Sequence, residues 1–557
     1  MNGAVLLVFV ILLFAVAYRF YGGYLCRLFH VDALRPTPAH TEEDGVDYVP
    51  TKFPVLFGHH FASIAGAGPI VGPVLAAYFG WLPVALWIIV GCIFVGAVHD
   101  FVALFFSVRH KGRSIGNVIE QYIGYVGKQI FLLFCWAALV LVVAVFANYV
   151  SETFVANPAV ATASLLFIAM APVFGWLVYR KGMSILKGSF VFVPLLFCFI
   201  KLGSEYPLDL TSLFSCSPEI AGKIWLCILF VYVFIASVLP VWILLQPRDY
   251  LNSFLLYSMI VLGFVSILLA SPDLKAPACE GWKVVRGGGV SYLFPILFVT
   301  VACGACSGFH SLVCSGTTSK QVDNERHILP IGYGAMLVEG VLAIMALISV
   351  AYLSKESMAE VISTKGKVVA FAEGLAHFSQ KVGLPVETGK NFFTLAISAF
   401  LLTTLDTATR LTRFTWEELF HPRATDDDKV KTKSFALLSN RFTATLIVVL
   451  MAGYLAFSGD SDKVWPVFGA SNQLLAALML LVVTVILIRK KSNFWIALIP
   501  MVFMMVVCVW ALCDLLMSNV RAERINWALL ASIGFLLTMA IVLVLQSLLS
   551  LRKSRKG

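Results

Sequence analysis

The chain has 557 residues, 60% of them hydrophobic and 13% charged, against roughly 25% charged residues in soluble domains. With a mean hydropathy of +0.89, that composition excludes a soluble enzyme or binding module and defines an integral membrane protein. Its apolar runs are mostly of the about 17–25 residues that a helix needs to cross a bilayer, and they lack the short alternation of a membrane barrel.

In chain order, about fifteen spans are predicted. They lie at 3–21, 53–78, 82–106, 129–150, 161–178, 188–203, 224–245, 251–270, 291–318, 329–353, 391–412, 437–457, 464–488, 494–516 and 527–549. The first has no basic leader and no small-residue cleavage site, so it reads as a retained helix. The net charge of +10 is carried mainly by loops that follow odd-numbered spans. That bias is a topology signal: it places the N-terminus outside and the C-terminus, with its LRKSRKG tail, in the cytoplasm. No nucleic-acid partner is expected.

The second span contains FGHHFASIAGAGPIVGP, residues 57–73, a poor helix by propensity. Freed backbone groups in lipid cost several kcal/mol, so such a run survives where protein covers it or where it lines a cavity. Gly66, Gly68 and Pro69 fall near mid-membrane. They leave either two half-helices flanking a binding gap or a close helix crossing. His59 and His60 precede the break, on different helix faces, and an imidazole at that depth could carry a proton. Ser63 lies between them and the break.

The seventh span, FVYVFIASVLPVWILLQPRDYLN, places Pro240 near its middle and reads as a second interrupted helix; the alternative is a simple proline kink. In the ninth, ACGACSGFHSLVCSGTTSK aligns Ser307, Ser311, Ser315 and Thr318 in one polar stripe, which suits a small cation or interhelical hydrogen bonds. His310 is on the adjacent face. Glu339, Asp406 and Arg410 are intramembrane charges, and such charges point to function by default. Asp406 and Arg410, four residues apart, could instead form a self-contained pair. Arg248 and Asp249 read as anchors at an inside helix end.

Twelve cysteines lie mostly within spans, as small buried apolar residues do. Cys216 and Cys279 are in neighbouring outside loops, where an oxidising compartment would permit a bridge. Cys303 and Cys306 form a CxxC without a second ligand pair, and no HExxH exists, so neither a metal site nor an intramembrane metalloenzyme is expected. The outside loop at about 354–390 reads as a short amphipathic surface helix, a lid or a connector. The inside loop at 422–435 reads as a solvated charged hairpin.

Together, FGHHFASIAGAGPIVGPVLAA, VGAVHDFVALFFSVR, LPVWILLQPRDYL, ACGACSGFHSLVCSGTTSK, IGYGAMLVEGVLAIMAL, TTLDTATRLTRF and WPVFGASNQLLAALML resemble the signatures of the carbon starvation protein A family of bacterial inner-membrane transporters. The resemblance implies an all-α polytopic protein of the amino acid, polyamine and organocation superfamily, with a LeuT-like core of two inverted five-helix repeats and discontinuous helices. On that basis the chain divides into an N-terminal extra helix and loop (1–52), a first repeat (53–203), a second repeat (204–421) and additional C-terminal helices (422–557). The broken second and seventh spans would take core positions one and six, and the ninth position eight.

The implied function is secondary active import of a small carboxylate such as pyruvate. The coupling ion is expected to be a proton rather than sodium, and no cofactor is expected. The same machine could import di- or tripeptides or amino acids, or act as a nutrient-binding membrane sensor. His59, His60, Ser63, Gly66, Gly68 and Pro240 are the candidate substrate residues. His310, Ser307, Ser311, Ser315, Thr318, Glu339 and Asp406 are candidates for ion or proton coupling. The partners are then the substrate and the lipid bilayer, and nothing in the sequence sets an oligomeric state.

Overall fold

The computed structural model describes every residue except Val46, 241–242, 287–288, 421–437, 459–460, 523–524 and Gly557. The predicted hairpin at 422–435 lies outside the described residues. Among those described, the helices long and apolar enough to span a membrane are Gly3–Leu28, Trp81–Arg109, Tyr125–Ala156, Pro158–Val178, Ile185–Glu205, Pro218–Val238, Pro247–Ala270, Leu293–Lys320, Glu325–Ala351, Val386–Leu419, Arg441–Ser458, Val464–Arg489, Trp495–Val520 and Trp527–Arg552. A bent pair, Phe53–Ile64 and Gly68–Phe79, meets at 44°. Counting that pair as the second span gives fifteen, in the predicted order, and the ordinals below follow this series.

Layering follows from burial. The most apolar stretch of the eleventh and thirteenth spans is 94% buried, that of the sixth only 17%. The first kind must sit inside the bundle, and the second offers its side chains to lipid. The fourth span packs along the eleventh and contributes to the same interior.

Three expectations change here. The seventh helix ends at Val238, and Pro240 lies beyond it on an exposed turn, so the proline terminates the helix instead of interrupting it. Its effect is on Leu239, which is extended (ψ 149°) as a residue before proline prefers to be. Cys216 and Cys279 are both free thiols. Cys216 donates to the Leu210 carbonyl, whereas Cys279 accepts from the Gly281 amide, so each is engaged within its own loop. The outside loop forms two helices, Lys355–Lys365 and Lys367–Ser379. The second does not lie on the surface: Phe371, Ala372 and Leu375 are fully buried, because VVAFAEGLAHF is apolar on more than one face. It is wedged against the second, eighth, tenth and eleventh spans.

Candidate substrate and coupling site

The second span breaks where its sequence forbids a helix. Ala65 closes the first half by donating to Phe61 and adopts a non-helical ψ of 65°. The Gly66 amide turns back onto the Ile64 carbonyl at 2.8 Å. A new helix of nine residues starts at Gly68, with Pro69 in its first turn, where a missing N–H is harmless. The amides of Ala67 and Gly68 are left without a hydrogen-bond partner among the described residues. A helix N-terminus with free amides attracts an anion. Gly66 is therefore the hinge, and the donors are its two successors.

The ninth span is broken as well, which sequence reasoning had assigned to the seventh. Its first helix ends at Val301, a tight turn covers Ala302–Gly304, and helix resumes at Phe309. The side chain of Asn472, from the thirteenth span, bridges this break: its oxygen accepts from the Phe309 amide at 2.9 Å, and its nitrogen donates to Ser307 Oγ at 3.1 Å and Cys303 Sγ at 3.3 Å. Gln473 donates to the Phe298 carbonyl at 3.0 Å. The motif GASNQ thus supplies the hydrogen bonds that the interrupted helix lacks.

The two breaks cross at contact distance. A Cβ on Gly68 would stand 2.6 Å from Cys303 Sγ, and one on Gly66 would stand 2.6 Å from Thr404 Oγ1 of the eleventh span. Only glycine permits that approach. Around the crossing lies a small hollow of about 10 Å³, room for about one water. Its floor is the broken backbone at Ile64, Gly66 and Gly68; its apolar walls are Val142, Phe146, Phe309 and Phe468; Cys303 and Thr404 complete it.

Beside this hollow, beginning at the residue after Phe309, lies a fully buried titratable cluster. His310 Nδ1 is 2.7 Å from Asp100 Oδ2, and His99 Nδ1 is 2.7 Å from Asp100 Oδ1. His310 Nε2 is 3.4 Å from Glu339 Oε2, an ion-pair separation, and neither oxygen of Glu339 has a hydrogen-bond partner. All four side chains are 0% exposed. Asp100 and His99 were not singled out from the sequence, although an HD pair within an apolar span was the signal for them. His310 and Glu339 were. They belong to different spans, and Asp100 from the third joins them.

The remaining candidates are distributed as follows. His60 is buried, with Nδ1 2.8 Å from Thr318 Oγ1, so Thr318 pairs with an imidazole instead of a cation. His59 is half-buried on another face, where Ser63 Oγ donates to its carbonyl at 2.8 Å. Ser311 and Ser315 donate to carbonyls of their own segment, Gly308 and Ser311, and Ser307 lies in the break before the helix begins. Pro240 lies outside the hollow.

Asp406 does not pair with Arg410. It is bound by Arg248 and by Tyr232, whose hydroxyl donates to it at 2.7 Å. Arg410 instead donates to the carbonyls of Ala236 and Leu239 at 2.8 and 2.7 Å, and Arg413 to that of Ser237. These are orphan carbonyls at the seventh helix's C-terminus, where a cation is favoured. Arg248 and Asp249 are 1% and 4% exposed, not interfacial anchors.

Fifteen spans among the described residues, with crossing broken helices around a small hollow and a buried acid–base cluster, define a membrane transporter. The chain belongs to the carbon starvation protein CstA family, whose model matches residues 2–364 and 354–511. The peptide transporter CstA of Campylobacter jejuni is 35% identical over 91% of this chain and 79% of its own length. The pyruvate/proton symporter BtsT of Escherichia coli K12 is 33% identical over 90% of this chain and 80% of its own. Among solved structures, MhsT in complex with L-phenylalanine aligns at 14% identity and a TM-score of 0.47, covering 90% of this chain and 99% of that one.

Proposed function

We propose that this chain is a proton-coupled importer of small carboxylates, pyruvate or a similar keto or hydroxy acid, in the bacterial inner membrane. Its N-terminus is outside and its C-terminus cytoplasmic. The observation that carries this reading is the meeting of three things at one place: a half-helix start at Gly68, an apolar pocket, and a buried acid–base cluster. The amides and the positive end of the half-helix receive the carboxylate. Phe146, Phe309 and Phe468 receive the short carbon chain.

The cluster accounts for the proton. Asp100 has two imidazoles within 2.7 Å, those of His99 and His310, whereas Glu339 meets only His310, at 3.4 Å, so the charge of Glu339 is the least compensated in the cluster, which is costly in a buried site. One added proton balances it, and Glu339, with no hydrogen bond to either oxygen, is its natural seat. An anionic substrate arriving with one proton then adds no net charge to the interior. A LeuT-like core of inverted repeats, at 53–203 and 204–421, belongs to the same reading.

Import of di- or tripeptides by the same machine is the second reading, favoured by the names of several relatives. Counterflow into proteoliposomes with a panel of carboxylates and peptides, repeated under separately imposed pH and sodium gradients, tests both. Carboxylate counterflow driven by pH alone supports the proposal. Competition by dipeptides but not by pyruvate transfers it to the second reading, and a flat trace for every compound favours a sensor.

A further inference from the structure

The buried hydroxyls of Thr394 and Thr404, both on the eleventh span, make no hydrogen bond, and of the two only Thr404 lines the hollow. On the eleventh span Thr403, Thr409, Thr412 and Thr415 each donate their hydroxyl to the carbonyl four residues back, at 2.6–2.9 Å. That is the usual resting place of a threonine in a membrane helix. Thr404 is 2% exposed, yet its hydroxyl makes no hydrogen bond. It points instead at the broken second span, 2.6 Å from where a Gly66 Cβ would stand. A buried hydroxyl without a partner is costly, and it persists where a ligand supplies the partner.

Cys303 faces the same hollow from the ninth span. Its Sγ contacts the space above Gly68 and is held by Asn472 Nδ2 at 3.3 Å. The polar groups at the hollow thus come from three directions: the Gly68 backbone, the Thr404 hydroxyl, and the Cys303 thiol.

We propose that Thr404 is the specificity-determining side chain, donating its hydroxyl to an oxygen of the bound carboxylate while the amides hold the other, and that Cys303 is covered by the substrate. This rests on the carboxylate reading above. A hydroxyl donor at that point selects oxygen-rich substrates and rejects those that present a methyl there, because a buried polar group left unpaired discriminates strongly.

The test uses the full-length protein in proteoliposomes. Thr404→Val keeps the shape and removes the donor; Thr404→Ser keeps the donor. Pyruvate counterflow should show a half-saturating concentration raised about 10- to 100-fold in T404V, the loss expected for a hydrogen bond to a charged group, with T404S close to wild type. In the wild-type protein, N-ethylmaleimide labelling of Cys303, read by peptide mass spectrometry, should slow with added pyruvate. Unchanged half-saturation in T404V, or labelling of Cys303 indifferent to pyruvate, overturns the inference while wild-type counterflow leaves the carboxylate reading standing. Wild-type protein that moves no carboxylate removes that reading and this inference with it. Should T404V fail to fold, T404S and the labelling of wild type still decide.

Discussion

Replacing Glu339 with Gln should uncouple transport from the proton gradient without unfolding the protein. At 3.4 Å and an effective dielectric constant of about 20, the Coulomb attraction between Glu339 and His310 is about 5 kcal/mol. Removing the carboxylate charge also removes a desolvation cost of several kcal/mol, so the net change in stability is small. Asp100→Asn is a poorer probe: it disturbs two contacts at 2.7 Å, each about 6 kcal/mol on the same scale, together with the hydrogen bonds that orient both imidazoles. The assay is pyruvate uptake into proteoliposomes under an imposed pH difference of one unit. One proton moved down that gradient is worth about 1.4 kcal/mol, so wild type should concentrate substrate about tenfold. E339Q should retain counterflow and reach a ratio of about one. Tenfold accumulation by E339Q would refute the assignment of the proton to this carboxylate.

Gly68→Ala forces a Cβ to 2.6 Å from both Cβ and Sγ of Cys303, an overpacking of about 1–3 kcal/mol; lower thermal stability in detergent and lost transport are expected, and Cys303→Gly in the same chain should restore part of both. Truncating Arg248 to Met leaves Asp406 and Asp249 buried without their counter-ion and should cost about 3–5 kcal/mol, whereas the double change R248M/D406L, which still leaves Asp249 unpaired, should recover part of it in a melting experiment. Cys216 and Cys279 should both be alkylated by maleimide under non-reducing conditions; a mass shift that needs prior reduction would establish the bridge that the structure lacks.

Much of the architecture was legible because membrane physics leaves little freedom. Twenty apolar residues must be a helix, and fifteen such runs were countable. The break at Gly66–Gly68 was legible for the same reason, since that composition contradicts its surroundings. What the residues could not state was pairing between helices. Asp406 and Arg410 have the spacing of an intrahelical pair, but the open end of the seventh helix presents Arg410 with carbonyl acceptors, and Arg248 reaches Asp406 from the eighth span. Pro240 was ambiguous in a different way: a proline two residues past a helix end and one inside a kinked span look alike until the end is known. The ninth span was misread as a continuous stripe because its small residues permit a helix. It is the thirteenth span, through Asn472 and Gln473, that makes the interruption stable.

The grip of Arg410 and Arg413 on the end of the seventh helix has a mechanical meaning. Two guanidinium groups from one rod clasp the terminal carbonyls of another, inside a medium where no water can take over those bonds. The seventh and eleventh spans are therefore coupled like two poles lashed at one end, and an alternating cycle that slid them apart there would have to strand both partners at once. Motion in this molecule belongs to the elements less firmly lashed, and the crossed second and ninth spans, which meet through glycine contacts and the His60–Thr318 hydrogen bond, are the ones placed to pivot against that frame.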